Sequence, residues 1–167
     1  LSGSIFETVP LKLKSPPAKT KNKTIVPNLP NELVGKITFI GSTPLTTEEL
    51  QIFDLCLIDI AIILRKDNLL DKLYDLNVIF SVDGSFGFIP ITDSQGKYAR
   101  MAIYNMERIR KLRNAEQVAF IFTEELVHHF WNLEDETETK LKVIEILQLT
   151  EPRITKEYVE SWELNWT

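Results

Sequence analysis

Apolar and polar residues change period along this chain, and each period predicts an element. Residues 1–35 have no period. Pro10, Pro16, Pro17, Pro27 and Pro30 stand there among lysines with few apolar anchors, which predicts an extended arm or linker. Ile25-Val26 and Leu33-Val34 are the pieces apolar enough to dock on a domain. Ile37 to Ile40 predicts a short strand ending at Gly41. From Thr46 or Thr47 the pattern becomes helical. Leu50, Phe53, Leu57, Ile60 and Leu64 share one face up to Lys66, a threonine provides the N-cap, and Glu48 and Glu49 suit the first turn. Asp67-Asn68 restarts a shorter helix over 68–75.

At Leu76 the pattern turns β-like. Asn77 to Val82 is β-branched and aromatic, Asp83-Gly84 is a turn signal, and Ser85 to Ile91 follows, which predicts a hairpin. A polar turn over 92–97 leads to a third strand from Tyr98 to Tyr104, completing a small antiparallel meander. A basic helical segment runs from Met106 to Leu112. Asn114 then caps a helix over 115–131 whose apolar positions cover most of its circumference, the mark of a central helix. Another helix spans 134–149 with Leu141, Ile144 and Leu147 on one side. Pro152 breaks the chain, and Thr155 caps a last helix carrying Tyr158, Val159 and Trp162. The expected fold is α+β over one domain, 36–167: a small antiparallel sheet packed with about four to five helices, preceded by a Pro/Lys-rich N-terminal arm.

Composition supports one core. The chain has 167 residues, 44% apolar and 26% charged, with a net charge of −5. An acidic balance argues against nucleic acid as a partner of the core domain, since phosphate binding needs a basic face. The charge is uneven. Lys12, Lys14, Lys19, Lys21, Lys23 and Lys36 face only Glu7 and Glu32 in the first 36 residues, so the folded remainder is more acidic. The lone Cys56 has no intrachain partner and reads as a buried small hydrophobe, in keeping with a reducing, cytoplasmic setting. The longest apolar candidate, Leu55 to Leu64, is too short for a membrane span and is interrupted by Asp59. The first residue is Leu1 rather than Met, which fits a fragment or a processed product.

Both histidines lie in Phe122-Thr-Glu-Glu-Leu-Val-His-His-Phe-Trp131, beside two carboxylates inside an otherwise apolar segment. Ionisable groups in such a setting need partners or a metal. Glu124 and His128 are i and i+4, so a helix projects them from one face, where they can share an ion. The order is that of His-Glu-x-x-His with glutamate in the first place. A third ligand must come from elsewhere, and the next helix offers Glu134, Asp135, Glu136 and Glu138. Glu125 would be the general base. His129 either orients a ligand or lies near the surface. The bland reading has similar weight: Glu124–His128 and Glu125–His129 are i, i+4 pairs that support a helix without metal, and 134–138 is an ordinary charged first turn.

With those residues in view, 119–147 resembles the core of compact gluzincin-type metallopeptidases, particularly the ImmA/IrrE group, and the likeness in element order extends over 76–149. In that group a second helix begins with a Glu-x-Glu-Ala-like stretch that supplies the third ligand. The counterpart here is Glu136-Thr-Glu138-Thr139, and the resemblance places Glu138 as ligand. It implies a zincin-like fold and a metal set of Glu124, His128 and Glu138 with Glu125 as catalytic base. The substrate or partner would be a protein or peptide. Glu124 stands where the family has histidine, Thr139 where it has alanine, and Val127 where many members have glycine. A Glu/His/Glu set leans from zinc toward manganese, iron or magnesium, and the added charge makes bound water less acidic. The expectation is therefore a metal-dependent, peptidase-like hydrolase. The alternative is an inactive zincin-like scaffold, without metal, that acts as a protein-interaction module through its arm and aromatic C-terminus.

Other motifs carry less. Glu125-x-x-His128 is half of a di-iron carboxylate site, and the chain lacks the second half. Asp83-Gly84-Ser85-Phe86-Gly87 lacks the lysine of a phosphate loop. Cys56 has no catalytic signature around it. Arg108, Arg110, Lys111 and Arg113 form a solvated basic face able to dock an acidic partner. Trp131, Trp162 and Trp166 are expected to be buried, the commoner fate of tryptophan, rather than to form an interaction surface.

Overall fold

A computed structural model describes residues 25–41, 43–84 and 100–162. Among them are strands β1 (Ile37–Gly41), β2 (Leu76–Ser81) and β3 (Arg100–Asn105). The helices are α1 (Thr47–Lys66), α2 (Met106–Ile109), α3 (Ala115–Phe130), α4 (Glu136–Leu147) and α5 (Lys156–Glu160).

α1 starts where its capping signal lies. Thr46 Oγ1 accepts from the Glu49 amide at 3.1 Å, and Glu49 Oε1 accepts from the Thr46 amide at 2.8 Å. This reciprocal box satisfies two amides that the helix leaves without intrahelical partners. Leu50, Phe53, Leu57, Ile60 and Leu64 are all buried, and so are Ile52, Cys56, Ala61 and Ile63 on adjoining faces. α1 is therefore largely buried, although Ile58 and Ile62 on its outer side are exposed. α3, expected as the central helix, has no exposed residue: Gln117, Phe120, Phe122, Thr123, Leu126, Val127 and Phe130 are buried, the rest are half-buried, and the helix packs against α1, α4 and β3. The shorter helix expected over 68–75 is only a 3-10 turn, Leu70–Lys72. In α4, Ile144 and Leu147 are buried as expected, but Leu141 is exposed and Thr139 and Val143 complete the inner face.

The strands form one sheet in the order β1-β2-β3, and both pairings are parallel. The expected antiparallel meander is corrected here. α1 crosses over between β1 and β2, and a long connection separates β2 from β3. Parallel neighbours need such crossovers, whereas a tight turn makes antiparallel ones. All six residues of β2 are buried, as befits the middle strand of a parallel sheet. The strand expected over 85–91, the turn over 92–97 and the start of the third strand lie outside the described residues.

An aromatic stack joins sheet to helices. Phe80 of β2 and its register partner Tyr104 of β3 stack at 5.6 Å between centroids. Phe53 of α1 lies 5.4 Å from Phe80 and 4.2 Å from Phe122 of α3. The buried Tyr104 hydroxyl donates to the Phe122 carbonyl at 2.6 Å, which pins α3 against β3 nearly two turns before its histidines. Asp67 Oδ2 accepts from Trp131 Nε1 at 2.7 Å and from Lys142 Nζ at 2.8 Å, tying the ends of α1 and α3 to the middle of α4. Trp162 packs edge-on against Phe120 at 5.8 Å. Trp166 lies outside the described residues.

The end of the expected arm is docked. Leu33 is fully buried, Ile25 and Leu29 pack on the core, and the Asn28 amide donates to Asp54 Oδ1 at 2.7 Å. No helix among the described residues is long and apolar enough to cross a membrane.

Candidate metal centre

Asn114 caps α3 by accepting from the Gln117 amide at 2.9 Å, and the helix runs to Phe130. Glu124 and His128 then lie one turn apart on a half-buried face. After Trp131 the chain reverses through Asn132, whose φ of 53° is left-handed, a conformation asparagine tolerates better than most residues. That reversal brings the Leu133 carbonyl back over α3, where it lies 2.7 Å from His128 Nδ1. Asp135 caps α4 by accepting from the Glu138 amide at 2.8 Å, so Glu136 is the first residue of the new helix. Glu136 Oε1 lies 3.7 Å from His128 Nε2.

Glu124, His128 and Glu136 each present one ligand atom, and the three atoms lie within 4.8 Å of one another. Glu138 is not part of the group. Its side chain is exposed. Two residues along a helix turn a side chain by about 200°, so Glu136 and Glu138 face opposite ways. Where the resemblance assigned Glu138, the carboxylate that lies beside Glu124 and His128 is that of Glu136. Glu136 was one of four acidic candidates in the sequence. Asp135 as N-cap is the signal that singles it out, because the first side chain of a helix leans back toward the preceding segment.

Thr139 is buried behind the site. Its hydroxyl donates to the Asp135 carbonyl at 2.8 Å and lies 3.5 Å from His128 Nδ1. Glu125, next around α3, is partly exposed and sits 3.5 Å from His129 Nε2. The His129 carbonyl accepts from Arg100 at 3.2 Å. His129 thus faces Glu125, not the three-residue group.

The donor set suits a divalent cation. A carbonyl only accepts, so the His128 ring directs an Nδ1–H at Leu133, and whenever the ring is neutral Nε2 keeps its lone pair toward Glu136. Burial, together with the nearby Glu136 and Glu125 charges and against the pull of His128 and Lys140, pushes the Glu124 carboxyl up to about 7. A cation between Glu124 and Glu136 would relieve that repulsion. Glu136 is largely exposed, which leaves one side open to water or substrate.

The chain matches no protein-family model, no curated protein and no solved structure.

Proposed function

We propose that this domain is a metal-dependent, peptidase-like hydrolase of zincin-like design. Glu124, His128 and Glu136 hold the ion, and Glu125 is the general base. The convergence of three ligand atoms, with the histidine oriented by a backbone carbonyl, carries this reading. Two carboxylates and one imidazole suit zinc, manganese or iron. Bound there, the ion would supply Lewis acidity, polarising a scissile carbonyl and lowering the pKa of the attacking water.

The remaining chemistry belongs to the protein. Glu125 takes the proton of the attacking water on a carboxylate oxygen and passes it to the leaving amine nitrogen. His129 Nε2 faces Glu125 Oε1 and holds that carboxylate in place. The open side of the group admits an extended peptide or protein segment.

One observation favours the second reading, a catalytically inactive scaffold that serves as an interaction module. Burial and the neighbouring carboxylates raise the Glu124 carboxyl to about 7, so a proton competes with a metal for its oxygens near neutral pH. Elemental analysis of chelator-free, untagged protein, followed by casein hydrolysis, separates the two. Stoichiometric metal with cleavage that Glu125→Gln abolishes, while metal is retained, is the expected result. Absence of metal after soaking in zinc, manganese and iron, with no cleavage, selects the inactive scaffold. Undiminished turnover by Glu125→Gln removes the proposed base.

A further inference from the structure

A cavity of about 280 Å³ lies at the opposite end of α3 from the candidate metal centre. It is a half-open cleft lined by α1, the first turns of α3, the end of α4 and the 150–154 loop. Glu116 at its edge precedes Glu124 by roughly 12 Å along the helix axis. Ile52, Ala119, Leu147 and Ile154 give it apolar walls.

Its polar groups are mostly acceptors. Asp59 is only 6% exposed, and one carboxylate oxygen accepts from the Thr150 hydroxyl. Glu116 Oε1 pairs with Arg153, but Glu116 Oε2 is buried with no hydrogen-bond partner. Arg153, the one cationic group in the lining, is already engaged by Glu116 and Glu151. Three carboxylates, Asp59, Glu116 and Glu151, therefore share the lining with a single guanidinium. The C-terminal end of α4, at Leu147, adds the negative end of a helix dipole. These carboxylates do not converge as metal ligands. Among the described residues that geometry occurs at Glu124, His128 and Glu136.

A buried carboxylate oxygen without a donor is costly. A primary ammonium brings three N–H donors and no acceptor, the complement of this lining. The geometry points to a binding site for a small organic cation, a primary ammonium with a short apolar body, held between Asp59 and Glu116 Oε2. Its head pairs with the carboxylates and its hydrocarbon part lies against Ile52, Ala119 and Leu147. Burial holds the Asp59 carboxyl above its ordinary range, a condition that a cationic neighbour reverses.

The test is calorimetric titration of the full chain with n-butylammonium, with n-butanol and butyrate as uncharged and anionic controls of similar size. The expected result is saturable millimolar binding of the ammonium, at least about tenfold tighter than either control. Asp59→Asn keeps the side-chain shape and should weaken binding by about tenfold or more. Glu116→Gln, at the edge of the cavity, gives an independent reading should Asp59→Asn fail to fold. A loss in either folded variant supports the site. Binding no tighter than n-butanol, affinity unchanged in both variants, or no saturation below about 100 mM overturns it. Neither variant should change metal content, so failure here is distinguishable from failure of the hydrolase reading.

Discussion

His128 Nδ1 lies 2.7 Å from the carbonyl oxygen of Leu133, five residues further along the chain. This contact orients the imidazole from behind, by a backbone atom that no side-chain substitution removes. It leaves Nε2 for the group formed with Glu124 and Glu136. A metal-ligating histidine needs such a partner, which sets both tautomer and ring angle.

The identity of the third ligand gives a direct contrast. Glu136→Ala should lower metal affinity by more than the about 10–100-fold that loss of an outer-shell partner costs. Glu138→Ala should leave affinity nearly unchanged, because its side chain is exposed and outside the group. Competition titration with a chromogenic chelator measures both. Equal losses would return Glu138 to the ligand set.

Phe53 is fully buried and stacks on both Phe80 and Phe122, so it links α1 to the sheet and to α3. Phe53→Ala should cost about 3–5 kcal/mol of folding stability through lost burial and a residual cavity. Phe53→Leu should cost much less. Urea unfolding followed by tryptophan fluorescence reads both values.

Asp59 provides a pH signature. Burial raises its carboxyl above the ordinary 3.8, with the Thr150 hydroxyl opposing in part. Below 3.8 both folded and unfolded chains hold this proton. As pH rises, the unfolded chain releases it first, so the stability from this group is lost through the folded-state value and stays constant above it. Asp59→Asn removes this dependence. Denaturation at a series of pH values should show the variant gaining on the parent above about pH 4 and then levelling off. A difference that does not vary with pH would show Asp59 unshifted.

Arg110 grips Glu49 with two nitrogens, Nε at 2.9 Å and Nη2 at 3.0 Å, and Nη2 also donates to the Pro44 carbonyl at 2.8 Å. Burial would raise the Glu49 carboxyl, but bonds from Arg110 and the Thr46 amide outweigh it and hold it below its usual range. Arg110→Lys cannot keep the fork and should cost about 1 kcal/mol. A double-mutant cycle with Glu49→Gln isolates that coupling from the capping box, and zero coupling would show the fork to be energetically idle.

Helix starts were legible in the sequence because capping acts within one turn. Thr46 with Glu49, Asn114 and Thr155 mark the beginnings of α1, α3 and α5, and each side chain makes its capping bond. The shared face of Glu124 and His128 was legible for the same reason, being a property of one helix. Three features were not. The parallel sense of β2 and β3 depends on the path of the chain between them, which strand composition does not encode. The deep burial of α1 depends on what packs around it, which its own periodicity does not state. The choice of Glu136 over Glu138 depends on the left-handed turn at Asn132, which sets the phase of α4 against α3. Periodicity and capping report forces acting over a few residues. Strand direction, enclosure and the meeting of side chains from two helices are settled by packing between segments far apart in the chain.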